Sequence, residues 1–427
     1  MILIYSPSSN PRLQYICRFI FAEQFGVTYN LTTHAESFST HDGAKINYSD
    51  ETLAGTIFQL RPHGLLSEAD VRTQPIDCFE INGQKAFFAT AGDYPFDIFS
   101  AAFYLISRYE EYLPHDLDMY GRYAHENSLA FREGFLKLPL VNIWLQQFAK
   151  SLTEKFGSLK FRWPEYKFQP TYDIDMAWSF KNKGIFRNLG GFFKKPSLNR
   201  LTVLTGMQKD PYDCYDELDR LHAAYKLDPV YFFLVATTNS AYDKNISPYA
   251  HPMWQLIKRH AKKYSIGLHP SWKSDSKLPA IEKEKKILET AAKTAVVFSR
   301  QHYIKFAAPT TFANLWDAGI REEFSMGYGS INGFRASTAS SYFWYDLQTE
   351  KITQLRIHPF CFMDANSHFE QKFSLAETTA ELQYYAGICK QVNGTFISIF
   401  HNNILGSDPA FTGWWEMYEA FIAQAQR

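Results

Sequence analysis

The sequence predicts an α/β protein in two parts: a β/α barrel of about seven strands over residues 165–427, preceded by a smaller α/β domain over residues 1–160. Three observations point there. At 427 residues the chain is longer than one hydrophobic core usually serves. Beyond residue 165, short apolar runs alternate with amphipathic helical stretches, the pattern of parallel strands joined by helical crossovers. Three of those runs end in acids or histidines, and in a barrel functional groups gather at the C-terminal ends of strands.

The first part opens with an expected strand at 2–5. A helix follows at 11–25, with Leu13, Ile16, Cys17 and Phe21 at helical spacing. A second amphipathic stretch, 97–112, carries Phe99, Phe103 and Ile106 and ends in Arg108-Tyr109-Glu110-Glu111-Tyr112, whose charges read as ion pairs or a solvated face. A third helix is expected at 141–156. In the second part, strands are expected at 167–172, 230–235, 265–268, 304–307, 324–326, 355–357 and 395–400. The helix at 251–264 has Pro252 in its first turn and Met253, Leu256, Ile257 and His260 on one face. Another is expected at 281–298, and Ser374 with Glu377 forms a capping box that opens a helix running toward Cys389. The insertion 181–209 carries Lys181, Lys183, Arg187, Lys194, Lys195 and Arg200 among Phe186, Phe192 and Phe193, and reads equally as a basic solvated loop or as a lid or anion-binding rim.

Composition narrows the function. Basic and acidic residues both number 44, so no overall charge favours nucleic acid or an anionic membrane. The five cysteines are scattered without Cys-x-x-Cys spacing, which suits reduced thiols. The N-terminus has no basic region before its short apolar run, and no run reaches the ~18–20 apolar residues of a membrane span, so a cytoplasmic location is expected. Aromatics make up 17% of the chain, and some could stack flat ligands such as sugar rings.

The chemistry concentrates in Thr171-Tyr172-Asp173-Ile174-Asp175, where a strand breaks into a loop. Two carboxylates this close are tolerated where a cation lies between them or one keeps a proton as an acid or base; a turn with solvated acids is the alternative, which the histidines that end two later strands weigh against. His269 in Gly267-Leu268-His269-Pro270-Ser271 and His401 after Phe396-Ile397-Ser398-Ile399-Phe400 also follow strand-like runs.

These segments resemble the motifs of the polysaccharide deacetylases, which remove acetyl groups on a distorted seven-stranded β/α barrel with a divalent metal. The resemblance covers roughly residues 165–427. It implies Asp173 as base, Asp175 and His269 as ligands of a divalent metal, Zn2+ by preference, and His401 as general acid. The family's second metal-binding His would stand where this chain has Lys273, so the third protein ligand stays unidentified, with Ser271, Asp275 and His302 as neighbours. The family's Arg before Pro is replaced by Ala307-Ala308-Pro309, leaving Lys305 or Arg335 to steady an Asp. The whole chain is also similar to bacterial deacetylase-like proteins of unassigned function with a separate N-terminal domain. Arg108-Tyr109-Glu110-Glu111-Tyr112, Gly333-Phe334-Arg335 and His401-Asn402-Asn403 fit that subgroup.

The expected activity is metal-assisted removal of an acetyl group from an amino sugar or polysaccharide, with Tyr172, Trp272 and Arg335 touching the glycan. Two alternatives stand beside it. One is a catalytically silent barrel that binds glycans through Tyr172, Trp178, Trp272 and Trp344. The other is a glycosidase in which Glu323 or Asp364 partners the Asp pair. The partner in each case is a glycan, nucleic acid is excluded, and the oligomeric state is left open.

Overall fold

The computed structural model describes residues 1–184, 188 and 198–425. Much of the expected lid, including Phe186, Arg187, Phe192, Phe193, Lys194 and Lys195, lies outside the described residues.

The N-terminal part is built on four parallel strands, β1 (Ile2–Tyr5), β2 (Tyr29–Thr32), β3 (Ala44–Tyr48) and β4 (Phe58–Leu60), in the order β2-β1-β3-β4. Their apolar faces pack on the helices Pro11–Cys17, Ile98–Ile106 and Leu140–Phe156. Asn10 and Asp97 cap the first two of these helices by accepting backbone N–H groups, as short polar side chains do at helix starts. A small hairpin, β5 (Phe79–Ile81) and β6 (Gln84–Ala86), completes this part.

The larger sheet has nine strands: β7 (Lys167–Ile174), β8 (Val230–Leu234), β9 (Ser265–His269), β10 (Phe298–Ser299), β11 (Glu322–Glu323), β12 (Tyr342–Asp346), β13 (Lys351–Ile357), β14 (Phe362–Met363) and β15 (Thr395–His401). Their order is β12-β13-β11-β10-β9-β8-β7-β15-β14. All neighbours are parallel except the β12–β13 hairpin. β13 and β14, close in sequence, stand near opposite ends of this ladder, and no hydrogen-bonded pairing joins them among the described residues. The chain is therefore a mixed α/β protein with one large sheet.

Most expected strands form, but two are displaced. The segment expected as a strand at 304–307 begins in a tight turn, His302–Ile304, and the real strand β10 lies at Phe298–Ser299, inside what reads as the end of a helix. That helix stops at Ala292, where Lys293 takes a left-handed conformation. The strand expected at 324–326 is β11, at Glu322–Glu323. The capping box forms as expected: Ser374 and Glu377 each satisfy the other's backbone N–H.

One continuous apolar cluster runs through both parts. Buried polar groups join them as well. Arg335 makes a two-pronged pair with Glu111 at 2.7 Å, and Arg108 bonds Glu111 at 2.7 Å and Glu110 at 2.8 Å. Burial pushes the Glu111 carboxyl up, but the two guanidinium groups outweigh it and hold it at about 2.

Outside the sheet, His222 and His260 are almost fully buried against Tyr231, and burial pushes both down to about 4 from 6.5. Both are neutral in the fold and become charged more readily in the unfolded chain. The stability they contribute is complete above about pH 6.5, falls as the pH drops, and is gone near the folded value. Acidification from pH 7 to 4 is expected to cost on the order of 3 kcal/mol per histidine. Urea unfolding of His222→Gln and His260→Gln proteins should show a flatter pH dependence; slopes equal to wild type would refute the assignment.

Candidate metal centre

The parallel strands bring the candidate residues to one rim. Asp173 is the penultimate residue of β7, and in the ladder it pairs in register with His401, the last residue of β15. Along β7, Thr171 and Asp173 face the sheet interior, and Asp175 follows in the loop. His269 ends β9, and His302 lies three residues beyond β10.

Asp175, His269 and His302 each offer a ligand atom, and these atoms lie within 4.8 Å of one another. Asp175 Oδ1 is 3.1 Å from His269 Nε2, and Asp175 Oδ2 is 3.5 Å from His302 Nε2. Each imidazole is aimed from behind. His269 Nδ1 contacts the Arg300 carbonyl oxygen at 2.5 Å, and His302 Nδ1 contacts Asp243 Oδ1 at 3.0 Å. Such backing fixes ring orientation and tautomer and leaves Nε2 for a metal. Asp175 Oδ1 and His269 Nε2 are both buried without a hydrogen-bond partner. A pair of orphaned buried ligand atoms facing each other is costly unless a cation lies between them, so the residues fit a divalent ion with nitrogen and oxygen ligands.

The charges agree with that fit. Burial pushes the Asp175 carboxyl up, but the imidazoles of His302, His269 and His401 outweigh it, and it lies well below the usual range. Burial lowers His302, yet Asp175 and Asp243 lift it to about 9. The pocket thus carries negative charge that a proton on His302, or a metal ion in its place, balances.

Two further pairs flank the trio. Arg300 is fully buried and donates Nη1 to Asp173 Oδ1 and to Thr171 Oγ1, both at 2.8 Å, with its guanidinium 4.4 Å over the Phe232 ring. This holds Asp173 with its second oxygen 3.8 Å from His269 Nε2. On the other side, Asp364 takes both the His401 backbone N–H at 2.7 Å and Nδ1 at 2.6 Å. Burial lowers His401, but Asp364 outweighs it and lifts the imidazole to about 10. A cavity of about 380 Å3 opens over these residues, lined also by Tyr120, Arg122, Tyr303 and Phe369.

The structure therefore brings Asp173, Asp175, His269 and His401 together, and adds His302, Arg300, Asp364 and Asp243. The other sequence candidates lie elsewhere. Tyr172 faces away from the cavity and bonds His222 at 2.7 Å and Tyr418 at 2.6 Å, because alternate residues of a strand point to opposite faces. Arg335 is committed to Glu111 in the core, and Lys305 pairs with Asp275, so neither steadies Asp173. Trp272 stacks on Tyr242 at 3.8 Å and backs Tyr303 without lining the cavity. Lys273 is exposed, and Ser271 bonds Glu284. Trp178 and Trp344 are buried, which removes them as platforms. Glu323 is buried against Ser325 and Asp364 is held by His401, so neither stands as a free partner for the Asp pair. A strand at 296–299 would have been the signal for Arg300, which the sequence reading missed, and would have singled out His302 from Ser271 and Asp275, since Arg300 and His302 then repeat the alternate spacing of Asp173 and Asp175.

Fold and site together define a mixed α/β protein with a three-residue candidate metal centre at the ends of parallel strands. The model of a family of unknown function, DUF7033, matches residues 2–157. No curated protein matches the chain. Among solved structures, it is similar to a chain assigned as a polysaccharide deacetylase from Mycobacterium smegmatis, with 12% identity, 62% of this chain and 87% of that one covered, and a TM-score of 0.39. A second, also assigned as a polysaccharide deacetylase, from Pseudomonas aeruginosa PAO1, has 12% identity, coverage of 61% and 85%, and a TM-score of 0.40. A third is a mutant of a CE4 family pseudoenzyme, with 9% identity, coverage of 61% and 63%, and a TM-score of 0.32. No helix among the described residues is long and apolar enough to cross a membrane.

Proposed function

We propose that this chain is a metal-dependent hydrolase that removes acetyl groups from an amino sugar or polysaccharide. The observation that carries the reading is the convergence of Asp175, His269 and His302 between two buffered pairs, Asp173–Arg300 and His401–Asp364. The sequence motifs around Asp173, His269 and His401 supply the substrate class, and the domain division at 160–165 belongs to the same reading.

Asp175, His269 and His302 would hold the ion. When bound, a divalent cation such as Zn2+ supplies Lewis acidity and lowers the pKa of water toward about 7. Asp173 accepts a proton from the attacking water; its salt bridge to Arg300 fixes which oxygen faces the cavity. His401 stands beside Asp173 on the neighbouring strand with its Nδ1 held by Asp364, so Nε2 is the atom that gives a proton to the departing amine or alcohol. Tyr303, Tyr120 and Phe369 offer apolar faces to sugar rings.

The silent-barrel alternative rests on Lys273 and Ala307 standing where the resembled family has a ligand and an arginine; His302 would supply the third ligand from another loop, which favours the enzyme. Elemental analysis of the purified protein is expected to give close to one equivalent of zinc, cobalt, nickel or manganese, lost in Asp175→Asn and His269→Ala. With metal present, acetate should be released from N-acetylglucosamine oligomers. Wild-type protein that takes up none of these metals would refute the reading.

A further inference from the structure

We infer that the N-terminal region is a working part of the metal centre, with Arg122 as the positioning residue that sets His302. This rests on the hydrolase reading, since it concerns the same ligand trio.

His302 is carried by an unusual turn. The two residues after it, Tyr303 at φ 59° and Ile304 at φ 55°, both lie in the left-handed region. Side chains other than glycine visit that region rarely, and a β-branched residue such as Ile304 visits it least. Such a turn persists only where the surroundings over-determine it. Most of the restraint comes from the same half of the chain. Ile304 N–H donates to the Gln301 carbonyl at 2.9 Å, Lys305 N–H to the His302 carbonyl at 3.1 Å, and Gln301 N–H to Ser325 Oγ at 2.8 Å. The carbonyl of Tyr303, at the centre of the strained pair, is held from outside: Arg122 Nη1 donates to it at 2.8 Å.

Arg122 is itself built to do this. It closes a hairpin at 117–123 in which Asp118 acts as the organiser. One oxygen of Asp118 accepts the backbone N–H groups of Tyr120 at 2.8 Å and Arg122 at 3.0 Å, and the other accepts Arg122 Nε at 2.6 Å. The guanidinium also lies 4.7 Å over the Tyr120 ring. The side chain is almost completely buried, with its long stem and planar head fixed before it meets Tyr303. The facing segment leaves room for it at one residue: a Cβ on Gly329 would fall 2.0 Å from Arg122 Nη1 and 2.8 Å from the Tyr303 oxygen. Tyr120 adds ring contact with Tyr303 at 5.5 Å. With Asp243 fixing the His302 ring and Ser325 fixing the backbone before it, Arg122 fixes the backbone after it.

Zinc titration of chelator-treated, full-length protein tests this, read by calorimetry or by competition with a chromophoric chelator. Arg122→Met and Gly329→Ala are each expected to weaken zinc binding about tenfold, the lower end of losses seen when groups behind a ligand are removed. Arg122→Lys, which keeps a single donor, should fall between. The decisive readout is a double-mutant cycle: in a His302→Ala background, Arg122→Met should cause no further loss, because it acts through that ligand. The same tenfold loss with and without His302, or unchanged zinc binding in both Arg122→Met and Gly329→Ala, would overturn the inference. Failure of the wild-type protein to bind zinc would overturn the hydrolase reading instead, so the two failures are distinguishable.

Discussion

Asp173→Asn is expected to lower acetate release by about 10²–10⁴-fold, the usual contribution of a positioned general base, while zinc binding stays within a few-fold of wild type. The separation of these two readouts follows from geometry. Asp175, His269 and His302 form the candidate ligand trio, and Asp173 stands outside it with one oxygen tied to Arg300. An asparagine keeps an amide oxygen that can accept the Arg300 bond, so the buried guanidinium retains a partner and the fold is expected to hold. Steady-state rates on N-acetylglucosamine oligomers, paired with zinc titration of the same preparation, measure both quantities. Parallel loss of rate and metal would make Asp173 a ligand and reassign the base.

The second large effect concerns stability. Glu111→Ala leaves Arg108 and Arg335 buried without the carboxylate they share. Removing one member of a buried ion pair costs about 3–5 kcal/mol, because the remaining charge is stranded away from water. Glu111→Gln should cost less, since its amide oxygen can still accept from one guanidinium. Urea unfolding at pH 7 reads both, and a loss below about 1 kcal/mol for the alanine variant would show that the two arginines find other partners. The pH dependence has a definite sign. The folded carboxyl is held at about 2 against an ordinary 4.5, so its stabilisation is present above the ordinary value and disappears as the pH falls through the folded one.

How much of this was legible in the sequence depended on the length of each strand. Asp173, Asp175, His269 and His401 end or follow strands of five to eight residues, long enough for the apolar run to stand out. β10 and β14 have two residues each, too short to carry a pattern, and they lead into Arg300, His302 and Asp364. The amphipathic helix before β10 also reads on through it, because Ala295 and Phe298 continue the face of Leu288 and Ala291 past the point where Lys293 ends the helix. Tyr172 is a different kind of miss. Strand alternation places it on the face opposite Asp173, and that follows from the sequence once the strand is granted. The pairing of Arg335 with Glu111 spans more than half the chain, and neither residue carries a local signal of the other.

The register between β7 and β15 has a consequence for how such a site can change. Asp173 and His401 are cross-strand neighbours, and neighbouring strands lie about 4.8 Å apart wherever backbone hydrogen bonds hold them. The residues proposed to accept and donate protons therefore rise from main-chain positions whose spacing the ladder fixes, and loops may lengthen, shorten or be exchanged around them without altering that interval. What enters the cavity is open to variation; the interval between these two backbone positions is not.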